Sequence, residues 1–582
     1  MSGFPGHRDF VLIYDATTCR WLRFSHPIGT YVAHTPDAVL PCLHQVAQHV
    51  ESGAGWAAGF VAYEAAPAFD PALTVRVSTP FPCLWFGIYT APEEILPVFN
   101  RAEMPDIQWK TSVPADEYRG AVRRIKEHIA AGDTYQVNYT FRLHGPFNAD
   151  PWNLFSRMIR PHQPGYGAYI DVGRWVICSA SPELFWAREG DLLWSRPMKG
   201  TAARGLLLSD DVALGDWLQD SEKNQAENLM IVDMVRNDLG RIARQGSVTV
   251  SRLFQLEKHP TVWQMTSTVE CRTAAPLPDV FRALFPPASI TGAPKVNTMD
   301  IISRLETTPR GIYTGTVGFL APDNRAQFNV AIRTVLIDRE EKSAEYGIGS
   351  GVVWDSEESL ELDECLLKAK ALTQAPADFQ LLETVLWTPE EGYFLIDRHL
   401  RRLYDSAQYF SYPIDLEAIR SGLTSQAFTS GSHPQKVRIL VASSGEAIIE
   451  NKPLEPHGEE VTVCLSRTPV DSRDPFLYHK TTHRAVYEQA RQSLPGFEDV
   501  LLWNERGEIT ESTVANIVVE MQGARFTPPV SSGLLPGTYR SLLLEEGQVA
   551  EKVIRPQDLK NCSSLYLINS VRRTRRAAYI DD

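Results

Sequence analysis

The 582-residue sequence predicts mixed helix and sheet, of the α+β or α/β class, divided into a larger first region and a smaller second one. Two observations carry this. Strand-like runs, RWVICSA (174–180), SVTVSRLF (247–254) and FNVAIRTVLID (328–338), alternate with helical stretches, EYRGAVRRIKEHIAAG (117–132) and EKNQAENLMIVDMVRNDLGRIA (222–243). The other observation is the seam TQAPADFQ (373–380). Before it lies SLELDECLLKAKAL, whose Leu362, Cys365, Leu366 and Ala369 recur at helical spacing; after it comes the strand-like FQLLETVLW, and Pro376 between them resists helix continuation. The expected domains are therefore 1–373 and 376–582. No period of roughly 20–50 residues recurs, which sets aside solenoids and propellers.

Charge and composition narrow the function. With 57 Lys+Arg against 71 Asp+Glu the net charge is −14, and 43% of residues are hydrophobic. That is a well-cored globular chain without the basic patch that phosphate backbones require, so nucleic acid is not an expected partner. The start, MSGFPGHRDFVLIYD, carries Asp9 and Asp15 and does not read as a secretory signal. The longest charge-free apolar run from Gly53 stops at Glu64, short of a membrane span. Eight scattered cysteines with no CxxC pair point to a reduced, cytoplasmic compartment.

Three carboxylates carry the first chemical hint. Glu361, Glu364 and Lys368 fall at i, i+3 and i+7, on one helix face, and Glu227 sits on the long helical stretch. Spacing alone more often means a solvated charged face; the sharper reading is a Mg²⁺ site, because Mg²⁺ takes one or two carboxylates and leaves room for waters and an anionic substrate. Their company decides. AGDTYQVNYTFRL (131–143), SPELF (181–185), RPMKGTAARG (196–205), AENLMIVDMVRNDLGRI (226–242), FPPASITGAPK (285–295), RGIYTG (310–315), AIRT (331–334) and GIGSGVVWDS (347–356) follow in order. This succession resembles the chorismate-utilising enzymes, which include anthranilate, aminodeoxychorismate and isochorismate or salicylate synthases. It runs from about 115 to 372; residues 1–110 match loosely, in GFVAYEAAPAFD.

The resemblance implies a large chorismate-binding α/β sandwich in which Glu227 and Glu361, with Glu364 nearby, hold Mg²⁺ against the ring carboxylate. Arg333 and Tyr313 would grip the enolpyruvyl carboxylate, a role suited to a guanidinium fork. Gly349 and Gly351 would let backbone N–H groups approach the anion, and Thr201, Thr291 and Gln136 would complete the substrate pocket. Glu183 would be the general acid that protonates the departing 4-hydroxyl. Family members that add water carry a Lys base where this chain has Gln136, which disfavours water addition. Anthranilate synthases carry Ala where this chain has Lys199; aminodeoxychorismate synthases carry Lys there, as a nucleophile toward C2 of chorismate. Anthranilate synthases also carry a His tied to pyruvate loss where this chain has Gln264 in VWQMTS, so the first region is expected to stop at 4-amino-4-deoxychorismate.

In the second region LLETVL (381–386), HLRRLYDSAQYF (399–410), HKTTHRAVYE (479–488), GEITESTVANIVV (507–519) and TPPVSSGLLPGTYR (527–540) together resemble class IV aminotransferase-like enzymes. That group includes aminodeoxychorismate lyase, and the resemblance implies a smaller, two-subdomain fold-type IV domain that uses pyridoxal phosphate. Lys480 falls at the cofactor lysine, Glu511 at the acid beside the pyridine nitrogen, and Arg402, Gly537 and Thr538 at the phosphate contacts. Thr384 falls where lyase relatives have a threonine that assists proton transfer to the leaving enolpyruvate. A homodimer through this region is compatible with the resemblance.

The expectation is a bifunctional enzyme of p-aminobenzoate synthesis for folate, an aminodeoxychorismate synthase joined to an aminodeoxychorismate lyase. No GxCxGxQ nucleophile motif is found, so ammonia must be free or come from a separate glutamine amidotransferase subunit. Two rivals stand beside it. One is anthranilate synthase joined to an amino-acid transaminase, which Lys199 opposes; the other is a non-catalytic binding homologue, which the intact set of charged residues opposes.

Overall fold

The structure is a computed structural model that describes residues 10–53, 55–77, 80–99, 107–160, 165–373, 378–427, 433–456, 458 and 460–581. Residues 374–377 of the seam at 373–380 lie outside the described residues. The chain forms two compact units. The first comprises Met1–Ala203 and Gly215–Pro376, the second Arg204–Leu214 and Ala377–Asp582.

The first unit is built on two ten-stranded sheets whose pairings are antiparallel. Alternation along the strands gives each sheet two apolar faces. Val11, Ile13 and Ile177 of one sheet meet Ala58, Phe60 and Phe319 of the other in an inter-sheet core. The outer face of the second sheet packs Trp186 and Phe328 against the helices Pro36–Glu51, Glu222–Gly240 and Leu277–Leu284. The outer face of the first packs Tyr139 and Phe141 against Ala115–Ala130, Pro151–Ile159 and Glu358–Thr373. The result is a helix–sheet–sheet–helix sandwich.

One expectation is corrected here. FNVAIRTVLID does not form one strand: Ala326–Val330 belongs to one sheet and Thr334–Asp338 to the other. The crossing residue Arg333 takes φ 48°, which a continuous strand cannot contain.

Three loops around the site hang from one buried ion cluster. The Arg310 guanidinium donates to Asn138 O (2.8 Å) and Ile290 O (3.0 Å) and is paired with both oxygens of Glu306 (2.6 and 3.0 Å). Glu306 also accepts from the Thr140 amide (3.0 Å). The carboxylate of Glu64 accepts from the backbone N–H groups of Arg310 and Gly311, at 2.7 and 2.9 Å. An arginine fork reaches several acceptors at once, which a lysine cannot do.

The second unit holds two sheets. A four-stranded antiparallel sheet, ordered Gly392–Tyr393, Leu381–Thr388, Gln435–Val441, Ala447–Pro453, packs one face on the helices Ile396–Phe410 and Leu416–Ala427. An eight-stranded sheet has Glu460–Leu465 parallel to both of its neighbours, Asp499–Trp503 and Arg573–Tyr579. Arg204–Leu214 closes part of this unit: Leu206 and Leu207 pack beside Leu477 and Leu502, and Arg204 donates to Tyr409 O (2.8 Å) with its guanidinium over that ring. With antiparallel sheets dominating both units, the class is α+β. Among the described residues no helix is long and apolar enough to cross a membrane.

Arg310→Met should leave Glu306 buried with only the more distant Arg142 guanidinium (3.9 Å) as its cation and cost roughly 3 kcal/mol, read as a lower denaturant midpoint for the full chain by far-UV circular dichroism. An unchanged midpoint would mean that the cluster does not support the fold.

Candidate active sites

In the first unit, strand pairing assembles the candidate residues. Gln136–Pro146 lies against Ser343–Val352, with Asn138 opposite Gly351 and Thr140 opposite Gly349. A Cβ on Gly351 would fall 2.6 Å from Lys199 Nζ and 3.0 Å from Gln136 Nε2, so this glycine makes room for both side chains. A Cβ on Gly349 would collide with Tyr139 O of the neighbouring strand, so the close packing of strands requires that glycine; its carbonyl accepts from Lys368 (3.1 Å).

Lys199 sits at an irregularity in the strand Met198–Ala203: Met198 pairs with Thr266 and Thr201 with Gln264, with Gly200 between them at φ 95°. The carbonyl of Lys199 accepts from Asn228 (3.1 Å), Gln264 donates to Gly200 O (2.8 Å), and the Thr201 hydroxyl donates to Gln264 Oε1 (3.1 Å). Lys199 Nζ lies 3.8 Å from Glu227. Burial pushes its amine below the usual lysine range, opposed by Glu227, Glu364 and Glu361. Glu227 comes from the helix Glu222–Gly240, and Glu361 and Glu364 from Glu358–Thr373. Glu361 accepts from Ser356 (2.6 Å). Glu364 pairs with Lys368 at 2.7 Å; burial works to raise its carboxyl, but Lys368 outweighs that and lowers it.

Three further positions have groups without partners or with unusual acidity. Both amide atoms of Gln136, a fully buried side chain, have no hydrogen-bond partner among the described residues. Arg333 has no hydrogen-bond or ion-pair partner on its guanidinium among the described residues, and burial lowers its pKa. Glu183 is buried; burial pushes its carboxyl up to about 7, against a 2.6 Å hydrogen bond from Ser289 and the nearby Lys199 charge. Thr291 turns its hydroxyl toward Pro287 O and Ala288 O, and its carbonyl accepts from Asn138 N (2.8 Å). Tyr313 is packed under Gly347 with the Arg142 guanidinium 5.0 Å from its ring.

In the second unit, Lys480 is tied by its backbone to the first strand of the small sheet: Leu382 N donates to Lys480 O (2.9 Å) and Leu381 bridges Thr481. Burial, then the Arg402 charge, lowers the Lys480 amine to about 8. Glu511 accepts from Tyr487 OH (2.8 Å), Asn516 (3.1 Å) and Leu535 N (3.3 Å), and burial lifts it to about 7. Arg402 forks onto Glu383 (2.7 and 2.8 Å) and donates to Pro536 O (3.1 Å). Burial works to raise Glu383, but Arg402 and His399 outweigh it and hold the carboxyl at about 2. Gly537 caps the helix Thr538–Glu545, where any Cβ would strike Asn516, and Thr538 meets His399 at 3.2 Å. Thr384 lies two residues along from Leu382, in register with Arg438.

The family model of chorismate binding enzymes matches residues 9–374. The chain belongs to that family. The model of class IV amino-transferases matches residues 380–580. An aminodeoxychorismate synthase component 1 from Bacillus subtilis is 37% identical over 286 residues, 48% of this chain and 60% of that protein. An anthranilate synthase component 1 from Haloarcula marismortui is 37% identical over 275 residues, 47% of this chain and 56% of that one. The chain thus spans little more than half the length of these curated relatives. The crystal structure of anthranilate synthase component I from Streptococcus pneumoniae superposes with a TM-score of 0.53 at 24% identity, over 64% of this chain and 94% of that one, a likeness of fold.

The chorismate-binding unit places Glu227 3.8 Å from Lys199, and Glu361 and Glu364 act on the same lysine from a second helix, but among the described residues no group of three or more acidic, His or Cys side chains is gathered to hold a metal ion; Mg²⁺, which takes one or two carboxylates and completes its shell with water and an anionic substrate, is the cation these oxygens would suit. In the class IV unit a partly buried lysine with a lowered amine, a buried acid and a helix opening at Gly537 fit a pyridoxal phosphate site. Ser289, Asn228 and Glu383 were not picked out from the sequence. Each lies inside a quoted motif, so adjacency was the only signal.

Because the Glu183 carboxyl is raised from the ordinary 4.5 to about 7, its contribution to stability is fully present below about 4.5 and lost as pH rises through 7. Glu183→Gln should therefore be more stable than the parent at pH 8, by roughly 2–3 kcal/mol. The gain should vanish near pH 4.5. Thermal unfolding of both proteins across that range checks it, and a gain that is constant with pH would contradict the raised carboxyl.

Proposed function

We propose that the chain makes p-aminobenzoate, the aromatic amine used in folate synthesis, from chorismate in two steps, one in each unit. The first would be an aminodeoxychorismate synthase reaction and the second an aminodeoxychorismate lyase reaction. The observation that supports the reading is Lys199: a mostly buried amine, lowered by desolvation, 3.8 Å from Glu227 and close to the Gln136 amide, which has no partner among the described residues.

In the first step Arg333, together with Tyr313, would hold the enolpyruvyl carboxylate and orient the ring. Mg²⁺, held by Glu227 and Glu361 with Glu364 nearby, would neutralise the ring carboxylate. The unprotonated Lys199 amine attacks C2, the two ring double bonds shift, and the C4–O bond breaks while Glu183 protonates the leaving hydroxyl to water. Ammonia then bonds to C4, the double bonds shift back and Lys199 departs, giving 4-amino-4-deoxychorismate. A carboxyl near 7 supplies that proton at neutral pH. Gln136 is an amide and cannot deprotonate water, which leaves ammonia and the lysine as the nucleophiles. Gln264 is spent on holding Gly200 and Thr201, so no base is offered there for pyruvate elimination. Ammonia would come from solution or from a separate glutamine amidotransferase.

In the second step pyridoxal phosphate, when bound, supplies an electron sink. Lys480 and Glu511 would hold it, with Arg402, Gly537 and Thr538 at the phosphate. Lys480 Nζ removes the C4 proton, the C3–O bond breaks, and Thr384 assists delivery of a proton to the departing enolpyruvate, which becomes pyruvate. The ring left behind is p-aminobenzoate.

Full-length Lys199→Ala should form aminodeoxychorismate at a small fraction of the parent rate while still splitting aminodeoxychorismate that is supplied. Lys480→Ala should do the reverse, accumulating aminodeoxychorismate from chorismate, ammonia and Mg²⁺ and losing the visible absorbance that pyridoxal phosphate gives the parent. Product masses read both. Anthranilate from either variant would overturn the assignment of the first unit.

Chelating divalent metal, or changing Glu227 or Glu361 to Gln, should abolish the first step and spare the second. Equal loss of both activities would mean that these acids serve folding.

A further inference from the structure

The second unit takes in one segment from outside its own stretch of sequence, Arg204–Leu214, and the segment brings a buried charge with it. Arg204 and Asp211 pair there with side chains 7% and 0% exposed. The Arg204 fork donates to both oxygens of Asp211 (2.5 and 2.8 Å), and the Gly205 amide donates to the same carboxylate (3.0 Å). A Cβ on Gly205 would fall 2.2 Å from Asp211 N, so this glycine lets the segment fold back on itself. Ion pairs at such depth lose in desolvation much of what they gain in attraction, and apolar residues of similar volume would seal the surface as well. What a bidentate fork supplies that they cannot is a fixed direction.

That direction is toward the second site. Arg204 donates to the Tyr409 carbonyl (2.8 Å), with its guanidinium 4.4 Å from the centre of the Tyr409 ring. The carbonyl lies in the last turn of the helix Ile396–Phe410, where backbone acceptors have no partner within the helix and a cation meets the negative end of the helix dipole. The same helix carries His399 and Arg402, which hold Glu383. The Tyr409 ring lies 4.2 Å from the ring of His479, and Ser406 meets His479 Nδ1 at 3.0 Å. Lys480 is the next residue. Leu206 and Leu207 pack on the apolar cluster that contains Leu477 and Tyr478, just before Lys480 in the chain, and Tyr487, whose hydroxyl donates to Glu511. The segment therefore bears on the supports of both residues assigned to the cofactor ring.

We propose that Arg204 is a positioning residue of the second site: anchored by Asp211 it fixes Tyr409, and Tyr409 with Ser406 fixes the His479–Lys480 segment, so that the lysine amine meets pyridoxal phosphate at one place. This rests on the reading of Lys480 as the cofactor lysine of a lyase. The amine has to return to that place in every turnover, since it both holds the cofactor and moves the C4 proton. A misplacement of about 1 Å at such a group can cost roughly a hundredfold in rate.

The test uses the full-length protein loaded with pyridoxal phosphate. Arg204→Met should raise the cofactor's dissociation constant in equilibrium dialysis about tenfold and shift the pH at which the visible absorbance titrates. It should lower kcat for pyruvate release from supplied aminodeoxychorismate about tenfold or more, with KM little changed. The charges acting on Lys480, those of Arg402, Glu383, Arg484 and Glu511, are the same in parent and variant, so a shifted titration reports displacement of the lysine. Arg204→Lys keeps a donor for the Tyr409 carbonyl without the fork, and should recover part of the loss. Tyr409→Leu leaves the Arg204–Asp211 pair in place and removes both stacks; it should reproduce the effect, and it stands in for Arg204→Met should that variant fail to fold. A lower denaturant midpoint with cofactor affinity, titration and kcat unchanged would show a purely structural contact and overturn the proposal, as would a loss confined to the amination of chorismate. If the parent releases no pyruvate from aminodeoxychorismate while Arg204→Met still weakens the cofactor and shifts its titration, the lyase reading falls and the positioning role stands.

Discussion

The strand that carries Gln136, the turn that carries Thr291 and the loop that leads to Tyr313 are tied together by one buried arginine that must be satisfied. Arg310 is 1% exposed, and an unpaired guanidinium at that depth would be prohibitively costly. Its donors are distributed between a carboxylate, Glu306, and the carbonyls of Asn138 and Ile290. Those carbonyls belong to the strand that carries Gln136 and to the turn that carries Ser289 and Thr291. The main-chain N–H groups of Arg310 and Gly311, which begin the loop to Tyr313, are taken by Glu64. Desolvation therefore works as a constraint on geometry: none of these loops can shift without stranding a buried charge.

The two units use buried carboxylates in two opposite ways. Glu306 and Glu383 each face an arginine fork, and Glu383 is held at about 2. Glu183 and Glu511 have hydroxyl, amide or backbone donors and, among the described residues, no guanidinium paired with them; both rise to about 7, Glu511 despite the nearby Lys480 and Arg484 charges. The residue type is the same; the presence of a paired cation decides whether the group is a fixed anchor or a proton carrier near neutral pH. The lysines follow the same logic in reverse, since burial lowers Lys199 and Lys480 where neighbouring acids do not fully offset it.

Much of this was legible in the sequence because it is local. The mixed class and the helices at 115–130 and 222–240 follow from short-range periodicity, and the pocket residues sit inside contiguous motifs. What was not legible is contact between distant residues. Glu64, Glu306 and Arg310 meet only after the sheets form, and Arg204, Tyr409 and His479 stack only once the second unit has folded, which no motif announces. The break at Arg333 was missed for a different reason. FNVAIRTVLID consists largely of good strand formers, and alternation carries no sign of a single residue at positive φ. That residue is where the chain leaves one sheet for the other, its guanidinium unpaired among the described residues.

The chain path of the second unit has a consequence for modularity. Arg204–Leu214 follows directly on the strand that bears Lys199, yet it supplies Leu206 and Leu207 to packing around Leu477 and braces Tyr409 through Arg204. The two units are consequently not separable by one cut. A piece beginning after the seam would be born with an apolar scar where those leucines belong, and the remaining piece would trail a greasy loop with nothing to cover. Domain exchange between such proteins would have to graft the loop together with the body it seals.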